Sequence, residues 1–422
     1  MNIEEIILIG ICIVFILIPF LLKTKGNFFE GTKDNDLLTT IFSISASWIG
    51  VSSMLVLSGW ILELGQAAIW YLLSPGIGLI LLGFFGIEKI RKFDGMTISD
   101  YYNEKVIKIS ISIIISLVYT FVLGAQIVGF AKISVGFNIS YTFGLLLSSI
   151  VIITYVSLGG FKAVATTDII QAILIFITLI GFIIVLPISL DNINLSQMMN
   201  PFTLKQPYGI LFLILGLMML VAQENHQRIR AAKTNKIAAT ATKVSGLIII
   251  TFTLIIFLVT ISMGSVKGNP IIYTISNLKL LYKIIFSIGL LGAALSTADT
   301  ALNISSYSIF TLFGRIGNKK LLFVIIIFVT MVSSAIAHFI PSISQIILVS
   351  INLYVGILFP LMLLKFLNLH KRINIYVFII SVIGFIIGLV ISPASSGLIS
   401  MVFGIISIII LSRVFQGKGY DS

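Results

Sequence analysis

Apolar runs recur from one end of the chain to the other. They lie at about residues 5–22, 38–60, 66–87, 109–131, 140–158, 168–189, 208–225, 240–264, 281–309, 321–340, 343–364, 374–392 and 396–412, thirteen in all. A run of about 20 apolar residues crosses a hydrocarbon core of ~30 Å as a helix. Short polar stretches carrying Gly or Pro separate the runs. The longest, near 88–108 and 267–283, hold about 20 residues and leave no room for a soluble domain. In lipid the backbone must satisfy its own hydrogen bonds, so spans are helices or closed barrels. Barrel strands are ~10 residues long and alternate strictly, whereas these runs are longer and apolar on all sides. The pattern predicts an all-α polytopic membrane protein with about thirteen transmembrane helices.

Composition agrees. Of 422 residues, 58% are hydrophobic and 10% charged, against about 25% charged in a soluble domain. Mean hydropathy is +1.15. The net charge of +12 would suggest nucleic acid on a soluble protein. Here it reads as loop lysines and arginines that fix topology. With the N-terminus outside, the inner loops collect 22 of the 27 basic residues, among them Lys89, Arg91, Lys162, Arg228, Arg230 and Lys233; Lys132, Lys205, Lys267, Lys279 and Lys283 stay outside. Thirteen spans then place the C-terminus in the cytoplasm. Glu4 and Glu5 precede the first run, which is longer than a signal-peptide core, so it is expected to be a retained helix. The single cysteine, Cys12, allows neither an intramolecular disulfide nor a metal cluster.

Fifteen acids allow elimination. Eleven fall in termini or loops, and Glu63, Asp168, Glu224 and Asp299 remain. Glu63 ends the second span, where solvation is easy. Glu224 stands at the inner end of the seventh beside His226, Arg228 and Arg230, and is expected to be an interfacial salt-bridge partner. Asp168 opens the sixth span, where a helix dipole would favour it. Asp299 lies inside the ninth. A carboxylate at membrane depth costs several kcal/mol unless paired, hydrated or bound to a cation. Ser296, Asp299 and Thr300 share one helix face at i, i+3, i+4. The second span carries a matching polar stretch, Ser43 to Ser53, with Gly50 within it. Hydroxyls, carbonyls and carboxylates suit hard cations such as sodium, and unwound helices at the midplane hold ions in secondary transporters. Ser and Gly also serve close helix packing, so neither stretch decides alone.

The segment Gly159-Gly160-Phe161-Lys162-Ala163-Val164-Ala165-Thr166-Thr167-Asp168-Ile169-Ile170-Gln171 resembles the "GG-x-x-AV-x-x-TD-x-x-Q" signature of the sodium:solute symporter family, which includes sodium-coupled sugar, proline, pantothenate and sialic-acid carriers. Ser45–Gly50 resembles the family's first core helix, Thr97–Tyr102 the loop after its second, Gln227–Lys233 the inner end of its sixth and Leu295–Asp299 its eighth. The resemblance implies a leucine-transporter-type fold: a ten-helix core of two inverted five-helix repeats, here 38–366, flanked by an accessory helix and loop at 1–37 and two accessory helices and a tail at 367–422. It implies a main sodium site of the Ala46, Ile49 and Ala293 carbonyls and the Ser296 and Thr297 hydroxyls. Some members hold a second sodium on the signature aspartate, which would place Asp168, Asp299 and Thr300 there. Trp48 stands where some members are polar, and Leu72 where sugar carriers place a carboxylate, which weakens the case for a sugar.

These readings converge on sodium-coupled symport of a small polar organic solute by alternating access in the cell membrane, with sodium as the coupling ion. Candidate solute-lining residues are Ser52, Ser53, Gln66, Trp70, Tyr71 and Gln126. Two alternatives stay open: a non-transporting sensor with a carrier fold, and a proton- or lithium-coupled carrier using Asp168 or Asp299. About ten residues follow Arg413, too few for the signalling domain some relatives carry. An enzyme is not expected. The three histidines, His226, His338 and His370, sit near span ends, with no nucleophile–base pair or metal-ligand spacing and no glycine-rich phosphate loop.

Overall fold

The structure is a computed structural model that describes residues 3–21, 33–93, 95, 97–186, 188–264, 266–313, 319–367, 369 and 373–416. Its helices are α1 (Ile3–Leu21), α2 (Leu37–Trp48), α3 (Val51–Leu64), α4 (Trp70–Phe85), α5 (Ile87–Lys92), α6 (Lys105–Val135), α7 (Tyr141–Val185), α8 (Leu195–Met199) and α9 (Tyr208–Met218). They continue with α10 (Gln223–Ala231), α11 (Asn235–Met263), α12 (Pro270–Asn277), α13 (Leu280–Leu312), α14 (Lys319–Phe339), α15 (Ile343–Leu353), α16 (Phe359–Phe366), α17 (Ile373–Ile391) and α18 (Ser396–Gln416). Short polar side chains start several of them. Asp36, Ser140, Thr234, Asn269 and Ser342 each accept a hydrogen bond from a backbone N–H of the first turn, which satisfies amides that a helix start leaves free.

Among the described residues ten helices are long and apolar enough to cross a membrane, and α2 with α3, bent by 49°, makes an eleventh. The two other expected spans are α1 and the limb Tyr141–Ser157, apolar but shorter than the rest. The expected break between the fifth and sixth spans lies within α7. Yet Gln171 Nε2 donates to the Tyr155 hydroxyl at 2.8 Å, 16 residues away. Along a straight helix they would lie about 24 Å apart, so α7 doubles back and its limbs make two crossings. Large side chains such as Ile3, Phe85, Val390 and Ile391 face outward. In water they would be a liability; against lipid they are the expected surface.

Two spans break in mid-course. The second parts at Ile49–Gly50 between α2 and α3, and the seventh at residues 219–222 between α9 and α10. Asn35 N donates to Ala231 O at 3.1 Å and Lys233 N to Asn35 O at 3.0 Å, which joins the start of α2 to the end of α10. The two broken spans therefore run antiparallel and bring their breaks to the same depth, where Trp48 Nε1 donates to Asn225 Oδ1 at 3.0 Å. α13 passes beside them with 67% of its apolar window buried; α17 and the final span are only 33% buried and pack on each other at the margin.

Small residues let helices approach closely. A side chain on Gly78 of α4 would fall on the carbonyl of Gly216 of α9, and one on Gly216 would come within 2.8 Å of Ser74 O. Gly78→Val is expected to lower stability by ~1–3 kcal/mol, seen as a reduced melting temperature of the detergent-purified protein. An unchanged melting temperature would mean that α4 and α9 separate freely.

Candidate functional site

The break at Ile49–Gly50 ends the α2 ladder and leaves its last carbonyls facing α13. Ala46 O accepts from Ser296 Oγ at 3.2 Å and from Thr297 Oγ1 at 3.4 Å, while Ser296 Oγ also lies 3.0 Å from Ala293 O. Four oxygens thus share two hydroxyl hydrogens, and a hydroxyl has only one to give. Four of the five oxygens expected for the main sodium site are gathered here. Ile49, the fifth residue, is buried in the break itself. Gly50 permits this approach: a Cβ there would sit 2.5 Å from Thr297 Oγ1 and 3.0 Å from both terminal atoms of Gln126.

A charged cluster lies against this group. Asp168 Oδ2 accepts from Ser43 Oγ at 2.7 Å and stands 3.6 Å from Arg228 Nη2. Arg228 Nε donates to Ser43 O at 2.7 Å, and Nη2 to Thr300 Oγ1 at 2.8 Å. Thr300 Oγ1 reaches Ser296 O at 3.0 Å and Asp299 Oδ1 at 3.3 Å. The structure therefore brings Asp168, Asp299 and Thr300 together. Among the described residues, Asp168 Oδ1 and Asp299 Oδ2 have no hydrogen-bond partner. Two carboxylates against one guanidinium leave one negative charge when all are ionised, a balance that suits one monovalent cation. Of the signature segment, the side chains of residues 158–166 lie outside the described residues.

Arg228 corrects the charge census, which had placed it among solvated inner basics. Its side chain is 2% exposed. The signal available in the sequence was its position four residues after Glu224, on a helix that must then lie within the span.

A cavity of about 120 Å³ opens beside the breaks. Ser52, Ser53 and Tyr71 line it, as expected, together with Trp48, Leu72, Tyr119, Glu224 and Tyr354. Gln126 stands behind the wall, with Nε2 donating to Ser52 Oγ at 2.5 Å and Oε1 accepting from Ser52 N at 3.3 Å. Gln66 and Trp70 are elsewhere. Gln66 bonds Asn192 O and Asn194 N, and Trp70 Nε1 donates to Met198 O, so both fasten the α8 segment over α4. Their polarity is spent on loop backbone rather than offered to a solute. Glu224 is also not the interfacial ion pair expected of it: no basic side chain pairs with its carboxylate among the described residues, and Tyr119 donates to it instead.

The Thr97–Tyr102 segment is fastened to α10 and α16. Ile98 N donates to Gln223 Oε1 at 2.7 Å, Tyr101 shares a 2.7 Å hydrogen bond with His226 Nδ1, and Tyr102 donates to Leu361 O at 2.7 Å. His226 Nε2 lies 2.6 Å from Leu220 O, so this histidine bridges the broken backbone to the Thr97–Tyr102 segment.

Removing one partner of a buried ion pair leaves an uncompensated charge and costs ~3–5 kcal/mol. Arg228→Met is expected to lose about that much stability, and Arg228→Met with Asp168→Asn to recover part of it in thermal unfolding. A double variant that loses the sum of the two single losses would show that the pair is not coupled.

Comparison with known proteins follows this geometry. A sodium/proline symporter of Staphylococcus aureus is 27% identical over 198 residues, covering 43% of this chain and 38% of that protein. Sodium/proline symporter 2 of Staphylococcus saprophyticus is 25% identical over 187 residues, covering 41% and 37%. The chain thus matches less than two fifths of these relatives' length. Among solved structures, a sodium-coupled sialic acid symporter in a substrate-bound outward-open state superposes with a TM-score of 0.76 at 16% identity, covering 98% of each chain. Mhp1, a nucleobase-cation-symport-1 family transporter in a closed conformation, gives 0.60 at 14% identity, covering 91% of this chain and 92% of that one. These likenesses establish the fold. The profile of the sodium:solute symporter family matches residues 28–414, and the chain belongs to that family.

Proposed function

We propose that this protein couples sodium entry to the uptake of a small polar organic solute by alternating access. The observation that carries the reading is the surplus of oxygens over hydrogens where Ala46, Ala293, Ser296 and Thr297 meet. A sodium ion accepts such oxygens without needing a proton from any of them. It would tie α2 to α13 across the break, and the solute would bind in the adjacent cavity. Movement would come from the breaks, since α2 and α3 already meet at 49° and a broken ladder bends more readily than a continuous one.

The Asp168, Asp299 and Thr300 cluster is read as a second sodium site, supported by two carboxylate oxygens that have no hydrogen-bond partner among the described residues. Residues 38–366 are read as the transport core and 1–37 and 367–422 as accessory segments. The placement is the cell membrane with the N-terminus outside, on the strength of the basic residues.

Sodium binding should raise the melting temperature of the purified protein in proportion to RT ln(1 + [Na⁺]/Kd), about 2.7 kcal/mol at a hundredfold excess over Kd, while potassium and choline do not. Ser296→Ala with Thr297→Ala should abolish most of that shift. In proteoliposomes, labelled amino acids, organic acids, vitamins and sugars are then screened with and without a sodium gradient. Uptake indifferent to sodium, or a sodium shift untouched in the double variant, would sink the mechanism.

A further inference from the structure

The cavity wall contains one carboxylate, and neither proposed sodium site uses it. Glu224 lies in the first turn of α10, immediately after the break, and its side chain lines the cavity. A chain of hydrogen bonds leads to it. Gln223 N–H can only donate, and it reaches the Tyr354 hydroxyl at 3.1 Å. Tyr354 and Tyr119 share a hydroxyl contact of 2.7 Å, and Tyr119 donates to Glu224 Oε2. Read in order, Gln223 gives to Tyr354, Tyr354 to Tyr119, and Tyr119 to Glu224. In this order every hydrogen points toward the carboxylate, an arrangement compatible with an ionised acceptor.

That charge has no basic partner among the described residues. Arg228, one turn further along α10, directs Nε and Nη2 to Ser43 and Thr300, and touches Glu224 only at its backbone carbonyl, 3.5 Å from Nη1. The rest of the wall is apolar or hydroxylic, without a lysine, arginine or histidine. A carboxylate facing such a cavity costs several kcal/mol unless a cation arrives. Aromatic rings surround the same space: Trp48, Tyr71, Tyr119 and Tyr354 line it, and the rings of Tyr119 and Tyr354 meet edge to face with centroids 6.1 Å apart. Aromatic faces attract ammonium groups, more so when water is excluded. A carboxylate set among aromatic rings is what an organic cation needs.

We propose that the transported solute carries a protonated amine, held by Glu224 and the ring faces of Tyr119 and Tyr354, with its apolar body in the remainder of the cavity. The proposal rests on reading this cavity as the solute site and adds the solute's chemical class. A simple amine and an amino acid share the ammonium group. A monocarboxylate would meet Glu224 with like charge, and a neutral alcohol would leave that charge uncompensated.

Four probes of one ring skeleton separate these cases: piperidine, pipecolate, cyclohexanecarboxylate and cyclohexanol. Each is titrated by thermal shift against the full-length purified protein, in sodium and in potassium, for the wild type and Glu224→Gln, with monodisperse elution as the check on folding. Piperidine or pipecolate should bind the wild type, and Glu224→Gln should weaken that binding roughly tenfold to hundredfold, as loss of a charge-assisted hydrogen bond does. Tighter binding of piperidine identifies a simple amine; tighter binding of pipecolate identifies an amino acid. The proposal is overturned if neither amine binds, if Glu224→Gln binds them as the wild type does, or if the acid or alcohol binds as tightly. It is also overturned if Glu224→Gln removes the sodium shift measured without solute, because the carboxylate would then hold the metal. Sodium coupling is judged separately, by the difference between sodium and potassium in the wild type without probe. Its failure is thereby distinct from failure of the amine assignment.

Discussion

A helix that breaks inside a membrane strands carbonyls and amides where no water can reach them, each at a cost of several kcal/mol. This chain breaks two spans at the same depth, and everything near its centre serves to answer the stranded groups. Ser296 and Thr297 approach Ala46 O, Gln126 takes Ser52 N, Asn225 takes Met219 O, and His226 takes Leu220 O. The breaks are therefore tolerated only because protein, not lipid, surrounds them. Gly50 enables the closest of these approaches, since any side chain there would collide with Thr297.

The same answer leaves a remainder. Hydroxyls donate one hydrogen and accept more than one, so a cluster built from carbonyls and hydroxyls ends with oxygens in excess. Around Asp168 and Asp299 two carboxyl groups face one guanidinium, that of Arg228. A membrane interior rich in partly satisfied oxygens favours a bare cation. The structural solution to broken helices and the proposed capacity to hold sodium are then two views of one arrangement. The Thr97–Tyr102 segment is held to α10 and α16 by hydrogen bonds.

Much of this was legible in the chain. The thirteen apolar runs reappear as helices because lipid permits little else for such segments. Asp168, Asp299, Ser296 and Thr300 stood out because oxygen at membrane depth needs a reason, while Thr297 came from the family resemblance. Other residues were misread because residue type alone does not reveal direction. Gln66 and Trp70 look like solute ligands until the α8 segment is seen to use them. Arginine snorkels to an interface as readily as it pairs inside a protein, so Arg228 passed for a loop residue. Glu224, flanked by basic neighbours in sequence, turned out to share its side of α10 with none that pairs with it.

What the sequence determined by itself was the solvent and the element type, because about 20 consecutive apolar residues have one low-energy form in a bilayer. It also showed which polar side chains stand at membrane depth. What only the tertiary structure decided was which atoms meet. Ala46 and Ser296 are 250 residues apart, and Asp168 and Ser43 are 125 apart. No local pattern encodes such distances. They are set by two antiparallel broken spans packing beside α13, and the facing of Glu224 toward a cavity instead of toward water is set by the same packing.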